Sequence, residues 1–399
     1  MNKMKDVFIK SSIAGIELKN KIFRSATYEG LSDNEGRPTR KLSDTYLKLA
    51  KGEVGAIITG LIGVHRKGRS HLHMCMIDSD DVIDDYQQMN ALLREYGVPV
   101  IAQLAHGGGQ MDKTASGGFN LAPSKIFYVA VNKFSQVLSQ KYIIEIIDSF
   151  IKAIERAKKA GFAGVQIHAA HGYLLSEFLS GGLNLRKDRW GGSTENRFRI
   201  ISEIMKGARE RVGNYPILAK FSAYDYLKNG ISMDEGLRIA VMFQKAGIDA
   251  LEVSCGANDG LSTIRTKEIP SDAIMAYSFP INIKSEIVKN VMRKIIPLFA
   301  KRYDPIYNYN VDVAEKIKRE IDSPVIVVGG IRNINDINSI ISEKKADYVS
   351  MSRPFIIEPD IVKKFKEGKQ DNSKCIDCCY CLFGGQKNPL RCYYGKVKA

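Results

Sequence analysis

The chain has 399 residues, of which 44% are hydrophobic and 26% are charged, a composition typical of a soluble globular protein and not of a disordered one. This length is enough for one large barrel-type domain or for two ordinary domains. The formal net charge of +15 favours anionic ligands, but the Lys and Arg residues form no run of five and lack interleaved aromatic residues, which argues against a nucleic-acid partner.

The sequence shows no sign of export or of a membrane span. The N-terminal stretch MNKMKDVFIKSSIAG lacks the apolar core of a secretory signal. The longest apolar stretch, residues 54–64, is interrupted by glycines and is too short to cross a bilayer. We therefore expect a cytoplasmic protein without a membrane partner.

Short apolar segments recur along the chain, and most of them follow a segment with helical periodicity. Continuous runs of Val, Ile and Leu are typical of parallel strands that are covered on both faces. Strands are predicted at residues 21–26, 55–63, 98–105, 164–168, 216–222, 249–254, 324–329 and 346–352. Helices are predicted at residues 43–51, 80–96, 141–160, 194–211 and 233–246.

Eight strand and helix units in one chain predict an α/β fold, the (β/α)8 TIM barrel. A doubly wound sheet is the alternative, but it would have a GxGxxG motif after an early strand. Gly107, Gly108 and Gly109 follow the third strand and do not have that spacing. The barrel is therefore the favoured fold.

Two segments do not fit the repeat of strands and helices. Residues 279–322 are too many for one barrel helix and include the Tyr-rich sequence YDPIYNYN. We interpret them as an insertion between strands 6 and 7, over the top of the barrel. After residue 365 the chain becomes polar and then rich in cysteine. We predict a barrel domain over residues 1–365 and a Cys-rich C-terminal extension, an appendage, over residues 366–399.

Functional side chains of a TIM barrel lie at the C-terminal ends of its strands. His168 lies at the end of the fourth predicted strand and His171 follows it, and if the strand ends near His168 both imidazoles can face one point. With the hydroxyl of Tyr173 they would form a polar clamp for a carbonyl or an oxyanion. Two unrelated loop residues and a metal pair are the alternatives, although no HExxH motif or evident carboxylate partner is nearby.

Other strand ends carry residues suited to an anionic or electron-rich ligand. Gly329 and Gly330 end strand 7 and Arg353 follows strand 8, which together favour a phosphate site. A simple helix-entry turn is the alternative for the two glycines. Gln103 and Lys220 are unusual in a barrel interior, because a buried ammonium is costly unless it is paired. The alternative for Lys220 is a side chain that extends out of the barrel mouth.

Several motifs resemble the old yellow enzyme family of NADH:flavin oxidoreductases. They are IFRSATYEG, the strand of Gln103 followed by His106, HAAHGYLLSEFLS with NLRKDRWGGSTENRFR, VGGI and SMSRPFI, and together they extend over residues 5–360. The resemblance implies a (β/α)8 barrel that binds FMN noncovalently at the C-terminal ends of the strands. By position it implies cofactor contacts at Ser25, Ala26, Thr27, Gly60, Gln103, Lys220, Gly329, Gly330, Ser352 and Arg353.

The resemblance also implies which part of FMN these residues contact. The first six would lie at the flavin ring, with Gln103 on its pyrimidine edge and Lys220 near N1. Gly330, Ser352 and Arg353 would bind the phosphate, although glycine is commoner at the position of Ser352.

The mechanism implied by the resemblance has two halves. NADH or NADPH reduces the flavin by hydride transfer and leaves. An α,β-unsaturated carbonyl compound then binds to His168 and His171, accepts hydride from flavin N5 at its β-carbon, and receives a proton from Tyr173. The rival interpretation is a flavin-binding electron-transfer subunit whose Cys-rich extension docks a partner protein. The sequence sets no oligomeric state, and a homo-oligomer is compatible with it.

The C-terminal extension carries a candidate metal site. Cys375, Cys378 and Cys381 have C-x2-C-x2-C spacing, Cys392 follows, and Cys379 is an extra thiol. The spacing is similar to that of bacterial ferredoxins. Iron–sulfur members of the family have a similar set with one more residue before the third ligand. A [4Fe-4S] cluster, a structural zinc and free thiols are the three alternatives.

Overall fold

The structure, a computed structural model, describes residues 6–112, 114–128, 133–257, 261–278 and 285–396. Eight parallel strands close into a barrel, because each strand pairs with the next and the eighth pairs with the first. They are β1 (Ile22–Arg24), β2 (Ala56–Gly63), β3 (Val100–Ala105), β4 (Gly164–Ala169), β5 (Ile217–Ser222), β6 (Ala250–Ser254), β7 (Val325–Val328) and β8 (Tyr348–Met351). Each strand overlaps its predicted segment, and the (β/α)8 TIM barrel is confirmed.

Helices surround the strands and connect them. They are α1 (Arg40–Lys51), α2 (Ile83–Arg94), α3 (Gln140–Lys159), α4 (Leu174–Leu179), α5 (Thr194–Val212), α6 (Met233–Lys245), α7 (Ser271–Tyr277), α8 (Glu286–Phe299), α9 (Val311–Glu320), α10 (Ile334–Ser342), α11 (Arg353–Ile357), α12 (Ile361–Lys366) and α13 (Tyr380–Gly384). The five predicted helices correspond to α1, α2, α3, α5 and α6. Three of these begin after a serine, Ser139, Ser193 or Ser232, whose side chain accepts a hydrogen bond from a backbone N–H of the first turn. Within the described ranges, no helix has the length and apolar content needed to cross a bilayer.

The N-terminal half of the barrel is filled by apolar side chains. A hairpin of two short strands, Ser11–Ile13 and Ile16–Leu18, precedes β1. Its apolar residues belong to one buried cluster with inward-facing residues of the strands, namely Phe23, Ile58, Ile101, Leu218 and Ile326. Because this end is closed, the polar residues inside the barrel face its C-terminal half.

Short paired strands occupy two of the connections. Cys75–Met76 pairs with the end of β2. In the connection from β3 to α3, Leu121–Ala122 pairs with Gln136–Val137 and Phe127–Tyr128 pairs with Lys133–Phe134. Both connections leave the C-terminal ends of their strands, β2 and β3.

The connection from β6 to β7 contains α7, α8 and α9. The predicted insertion, residues 279–322, includes α9, which packs against β7 as an ordinary barrel helix. Residues 279–284 of that range lie outside the described residues. Tyr309, from the Tyr-rich sequence, lines the central cavity at the top of the barrel. The connection therefore contributes both a regular barrel helix and part of the cavity wall.

The C-terminal extension packs against the barrel. The fully buried carboxylate of Asp377 forms ion pairs with Arg332 and Arg353. The backbone N–H of Leu390 donates to the carbonyl oxygen of Glu29 at 2.8 Å. The extension is thus part of the top of the barrel and not a free appendage, because its buried charges are paired there. The division into two domains at residue 365 stays a prediction.

Candidate active site

A cavity of about 250 Å³ lies at the C-terminal ends of the barrel strands. Among its lining residues are Ser25, Ala26, Thr27, Gln103, His168, His171, Tyr173, Lys220, Gly329, Gly330, Ser352 and Arg353. These are all the predicted catalytic and cofactor-binding residues except Gly60. The barrel brings them together because its parallel strands all end on the same side. Their roles toward a ligand stay predictions.

Gly60 lies outside this cavity. It falls at an irregularity in the pairing of β2 with β3, between Ile58 and Leu61. Its backbone N–H donates to a carboxylate oxygen of Glu29 at 3.1 Å, and a Cβ atom at position 60 would come within 1.9 Å of the other oxygen. Glycine is therefore required by close packing against Glu29 at a β-bulge. The predicted contact of Gly60 with a flavin finds no support in this position.

A buried hydrogen-bond network underlies the floor of the cavity. Glu252 on β6 accepts hydrogen bonds from Ser25 Oγ at 2.8 Å and from Ser350 Oγ at 2.5 Å. Its other oxygen accepts from Gln166 Nε2 at 2.8 Å. Gln166 Oε1 in turn accepts from Gln103 Nε2 at 2.7 Å. Because a carboxylate can only accept, this order of bonds leaves the carbonyl oxygen of Gln103 as the group that faces a ligand.

Lys220 supplies a buried positive charge beside this network. Its Nζ donates to Ser25 Oγ at 2.9 Å and lies 3.5 Å from a carboxylate oxygen of Glu252. Burial lowers the pKa of Lys220, and the nearby carboxylate of Glu252 opposes that shift. Only 3% of the lysine side chain is exposed. The alternative in which Lys220 extends to solvent is therefore wrong.

His168 and His171 face the same cavity from the end of β4. Their ring centroids are 5.3 Å apart, and His171 Nε2 lies 2.8 Å from Ser254 Oγ. Burial, followed by the charge of Lys220, lowers the pKa of His168 to about 3 and that of His171 well below its usual value. Both imidazoles are therefore neutral near pH 7, and each has one N–H to donate.

Two further observations make these histidines candidates for contact with a ligand. Both ring nitrogens of His168 are buried and have no hydrogen-bond partner within the described part of the chain. His171 has a φ of +63°, in the left-handed region, and its backbone N–H donates to Ser222 Oγ at 3.0 Å. Unpartnered buried polar atoms and backbone strain of this kind concentrate at functional sites.

Tyr173 completes the polar wall next to the histidines. It immediately precedes α4, and its ring centroid is 5.0 Å from that of His168. Burial raises the pKa of Tyr173 to about 12, against a smaller lowering by its hydrogen bond with Ser70. The phenol is therefore protonated at neutral pH and can donate to a bound molecule.

A further part of the cavity combines glycine backbone with arginine side chains. Gly329 and Gly330 have φ values of +143° and +69°, and Arg332 lines the cavity together with Arg353. Arg353 Nη1 is 3.1 Å from Asp377 Oδ1. Because one carboxylate faces two guanidinium groups, this part of the cavity keeps a positive charge that suits an anion. Ser352 also lies in this part of the cavity, and its Oγ is 2.7 Å from the hydroxyl oxygen of Thr27.

The cysteines of the extension line a second, smaller cavity of about 50 Å³. Its lining includes the four predicted metal ligands Cys375, Cys378, Cys381 and Cys392, together with Cys379. Burial raises the pKa of the thiols of Cys378, Cys379 and Cys381, which keeps them protonated. Among the residues that the structure describes, no three His, Cys, Asp or Glu side chains are placed to hold a metal ion. That these four cysteines hold a zinc ion or a [4Fe-4S] cluster therefore stays a prediction.

The structure adds residues to the site that the sequence did not single out. The added lining residues include Tyr28, His71, Ser254, Tyr309, Arg332, Leu382 and Gln386, and Glu252 and Gln166 lie beneath the floor. Polar residues inside the apolar strands β4 and β6 were a usable signal for Gln166 and Glu252. Tyr28, Ser254 and Arg332 adjoin predicted strand ends, which is a second signal. His71, Tyr309, Leu382 and Gln386 come from long connections, where no local pattern marks the side that faces the cavity.

Comparison with known proteins identifies the family. A profile of the NADH:flavin oxidoreductase / NADH oxidase family matches residues 8–292 and 281–372. The chain is 31% identical to the NADH oxidase of Thermoanaerobacter brockii, over 100% of this chain and 57% of that protein. It is 30% identical to the NADPH dehydrogenase of Geobacillus sp. (strain WCH70), over 88% of this chain and 91% of that protein. The chain is also similar to a metal reductase from Desulforamulus reducens, at 28% identity over 94% of this chain. It spans about half the length of two relatives, namely 57% of the NADH oxidase and 51% of the metal reductase.

Solved structures share the fold. The 2-naphthoyl-CoA reductase in complex with 2-naphthoyl-CoA has a TM-score of 0.81 at 21% identity, over 96% of this chain and 55% of that chain. The old yellow enzyme homologue from Zymomonas mobilis has a TM-score of 0.76 at 20% identity, over 98% of each chain. The resemblance read from the sequence motifs is confirmed: the chain belongs to the NADH:flavin oxidoreductase / NADH oxidase family.

Proposed function

We propose that the protein is an FMN-dependent oxidoreductase that takes hydride from NADH or NADPH and passes it to an α,β-unsaturated carbonyl compound. The family implies FMN and a nicotinamide donor. The observation that carries the proposal is His168, whose two buried ring nitrogens have no partner among the described residues. Leaving such atoms unpaired is costly, and a ligand with a carbonyl oxygen would remove that cost.

The cavity floor suits the flavin ring. Gln103 presents a carbonyl oxygen, which would accept a hydrogen bond from the N–H of the pyrimidine edge. Lys220 presents a cation to the same cavity, where it would stabilise the negative charge that a flavin gains on reduction. Ser25, at the end of β1, accepts a hydrogen bond from Lys220 at 2.9 Å and donates one to Glu252 at 2.8 Å. The floor thus offers both an acceptor and a positive charge to one edge of a planar ring.

The anion-binding part of the cavity suits the phosphate of FMN. Gly329 and Gly330 allow the backbone to approach a ligand closely, and Arg332 and Arg353 supply guanidinium groups. In this proposal Ser352 contributes its hydroxyl where a glycine is commoner in the family. Support comes from the excess of two arginines over the single carboxylate of Asp377.

In the proposed mechanism, bound FMN supplies the hydride-carrying chemistry and the protein orients the acceptor. His168 and His171 donate N–H groups to the carbonyl oxygen of the acceptor, which polarises its double bond and stabilises negative charge on that oxygen. Neutral imidazoles are suited to this role because they donate without adding a charge next to Lys220. Tyr173 holds a proton at its hydroxyl oxygen and delivers it to the α-carbon of the acceptor.

Anaerobic stopped-flow absorbance tests the proposal directly. FMN-loaded protein is mixed first with NADPH or NADH and then with cyclohexenone. We expect loss of the visible flavin absorbance with at least one nicotinamide, and its return when the enone is added. If neither nicotinamide bleaches the flavin, or if the enone does not restore it, the proposed activity is wrong.

A second candidate function is electron transfer to or from a partner protein. The specific observation is Cys381, which lines both the main cavity and the thiol cavity. In that case the flavin would be reduced only by a protein partner in the same stopped-flow experiment.

Metal and sulfide analysis of anaerobically purified protein tests the prediction that Cys375, Cys378, Cys381 and Cys392 bind a cluster or zinc. Less than stoichiometric metal would leave these residues as free thiols.

A further inference from the structure

We propose that Glu252 is the positioning residue of the flavin subsite, and that it sets both the hydrogen-bonding polarity and the charge of the cavity floor. Glu252 does not line the cavity itself. It lies one layer below the floor and is fully buried. The inference rests on the proposed function, because it assigns Glu252 a role toward FMN.

The first argument is geometric. Glu252 on β6 is in register with Lys220 on β5, and its side chain also contacts Ser25 of the β1 end, Ser350 of β8 and Gln166 of β4. One carboxylate therefore binds side chains from four other strands. Three of these side chains, those of Lys220, Ser25 and Ser350, line the cavity. A purely structural barrel interior would be filled by apolar side chains, as the N-terminal half is.

The second argument concerns hydrogen-bonding polarity. The carboxylate of Glu252 cannot donate, so Gln166 must turn its amide nitrogen toward it and its carbonyl oxygen toward Gln103. Gln103 must then use its own amide nitrogen for Gln166, which turns its carbonyl oxygen to the cavity. The distances are 2.8 Å from Gln166 Nε2 to Glu252 and 2.7 Å from Gln103 Nε2 to Gln166. With glutamine in place of Glu252 this order is no longer dictated, because an amide can also donate.

The third argument concerns charge. Lys220 Nζ lies 3.5 Å from Glu252 Oε1, so a buried cation next to the flavin is compensated by one buried anion. Within the described residues, the other titratable or charged groups that interact electrostatically with Lys220 are Arg24, His168 and His171. Arg24 is paired with its own carboxylate, from Glu29 at 2.6 Å, and the histidines are neutral. Glu252 is thus positioned to keep Lys220 protonated and to limit the positive charge that the flavin meets.

The test compares Glu252→Gln with the wild-type holoprotein by sulfite titration and by the flavin midpoint potential. Sulfite binds a flavin more tightly when positive charge lies near it, and bleaching of the visible absorbance reports the binding. At about pH 6 we expect the variant to bind sulfite at least about ten-fold more tightly, because Lys220 then acts without its counter-charge. Toward about pH 9 the advantage should disappear, because without Glu252 the buried ammonium loses its proton. The flavin midpoint potential of the variant should be higher than that of wild type at about pH 6. The difference between the two potentials should disappear toward about pH 9, as the difference in sulfite affinity does.

Three companion variants separate charge from structure. Glu252→Asp keeps the charge, so its sulfite affinity relative to wild type should not depend on pH. Lys220→Met with Glu252→Gln removes both charges, so its relative affinity should also be independent of pH. This double variant buries no unpaired charge, and it keeps the test open if Glu252→Gln alone does not fold. Glu315→Gln, at a half-buried position of α9, is the control for the amide substitution and should match wild type.

The outcomes distinguish the inference from the proposed function. If wild-type protein does not bind FMN, the proposed function fails. If wild type binds FMN but Glu252→Gln has unchanged sulfite affinity and potential at every pH, the role of Glu252 is wrong and the function stands. If the double variant still shows a pH-dependent relative affinity, the group that titrates is not Lys220, and the charge argument is wrong.

Discussion

His168 on β4 is in register with Lys220 on β5, so a neutral imidazole and a buried ammonium lie side by side at the mouth of the barrel. Burial lowers the pKa of His168 from 6.5 to about 3, and the charge of Lys220 makes a smaller contribution to the same shift. Burial and the neighbouring ammonium together keep the imidazole neutral as a donor, and the lowered pKa links the stability of the protein to pH.

This linkage gives the first prediction. The pKa of His168 in the folded protein lies below its unfolded value of 6.5, so the unfolded chain binds the proton first as the pH falls. The stability from this group is complete above pH 6.5 and declines progressively between pH 6.5 and about 3. We expect a loss of about 2 kcal/mol between pH 6.5 and 5 from His168 alone.

Urea unfolding of the apoprotein at several pH values measures this loss. His168→Gln should show a shallower decline of the free energy of unfolding than wild type. The exposed His73→Gln is the control and should leave the decline unchanged. An equal slope in wild type and His168→Gln would contradict the assignment of a neutral buried imidazole.

The second prediction concerns the histidine pair. His168→Ala combined with His171→Ala removes both N–H donors but leaves the floor and the arginines in place. We expect FMN to be retained, phenolic ligands to lose their charge-transfer absorbance, and enone-driven reoxidation to slow by about 10²–10³ for each donor removed. His65→Ala is the matched control, because His65 bonds Glu145 at 3.0 Å outside the cavity. Phenol titrations that remain as in wild type would remove the clamp from the mechanism.

The third prediction concerns Tyr173. Tyr173→Phe removes the proton donor and keeps the ring, so flavin reduction by NAD(P)H should be unchanged while enone reoxidation slows by about 10²-fold. Burial raises the pKa of Tyr173 to about 12, and the protonated form is the donor. The contribution of Tyr173 to the wild-type reoxidation rate should therefore be constant from about pH 6 to 9 and fall only as the pH approaches 12. Equal slowing of both half-reactions in the variant would indicate a structural effect instead.

The fourth prediction concerns the anchor of the C-terminal extension. Asp377→Asn removes the buried carboxylate that pairs with Arg332 and Arg353. Breaking such a pair leaves buried charge uncompensated, so we expect a loss of about 3–5 kcal/mol and faster proteolysis of the extension. Bound FMN should reduce this loss of stability, because its phosphate would replace the lost negative charge. The control is Asp304→Asn, in an exposed pair with Arg302 at 2.9 Å, which should change neither the stability nor the rate of proteolysis. If FMN does not reduce the loss of stability in Asp377→Asn, the phosphate binds elsewhere.

Much of the fold was predictable because it is encoded locally. Runs of apolar residues mark strands that are buried on both faces, and the runs at 164–168 and 216–222 correspond closely to β4 and β5. Helix starts are likewise local, as Ser139 and Ser193 show by capping the helices that follow them. The short distance in sequence from His168 to Tyr173 also allowed three of the cavity residues to be grouped from sequence alone.

The remaining features depended on contacts between residues far apart in the chain. Ser25 and Glu252 are 227 positions apart and Gln166 and Glu252 are 86 apart, so no local pattern could pair them. Gly60, inside β2, is a related case: the family resemblance suggested a flavin contact there, but the structure shows close packing against Glu29, which no local pattern indicated.

The sequence alone therefore determined the order of strands and helices, the barrel, and the polar residues at the ends of the strands. Only the tertiary structure decided that Glu252 lies beneath the floor, that Gly60 is excluded from the cavity, and that the C-terminal extension forms part of its wall. The physical reason is that the periodicity of apolar residues specifies which face of a strand is buried. Which buried polar groups become hydrogen-bond partners is set by the register of neighbouring strands and by the packing of distant connections.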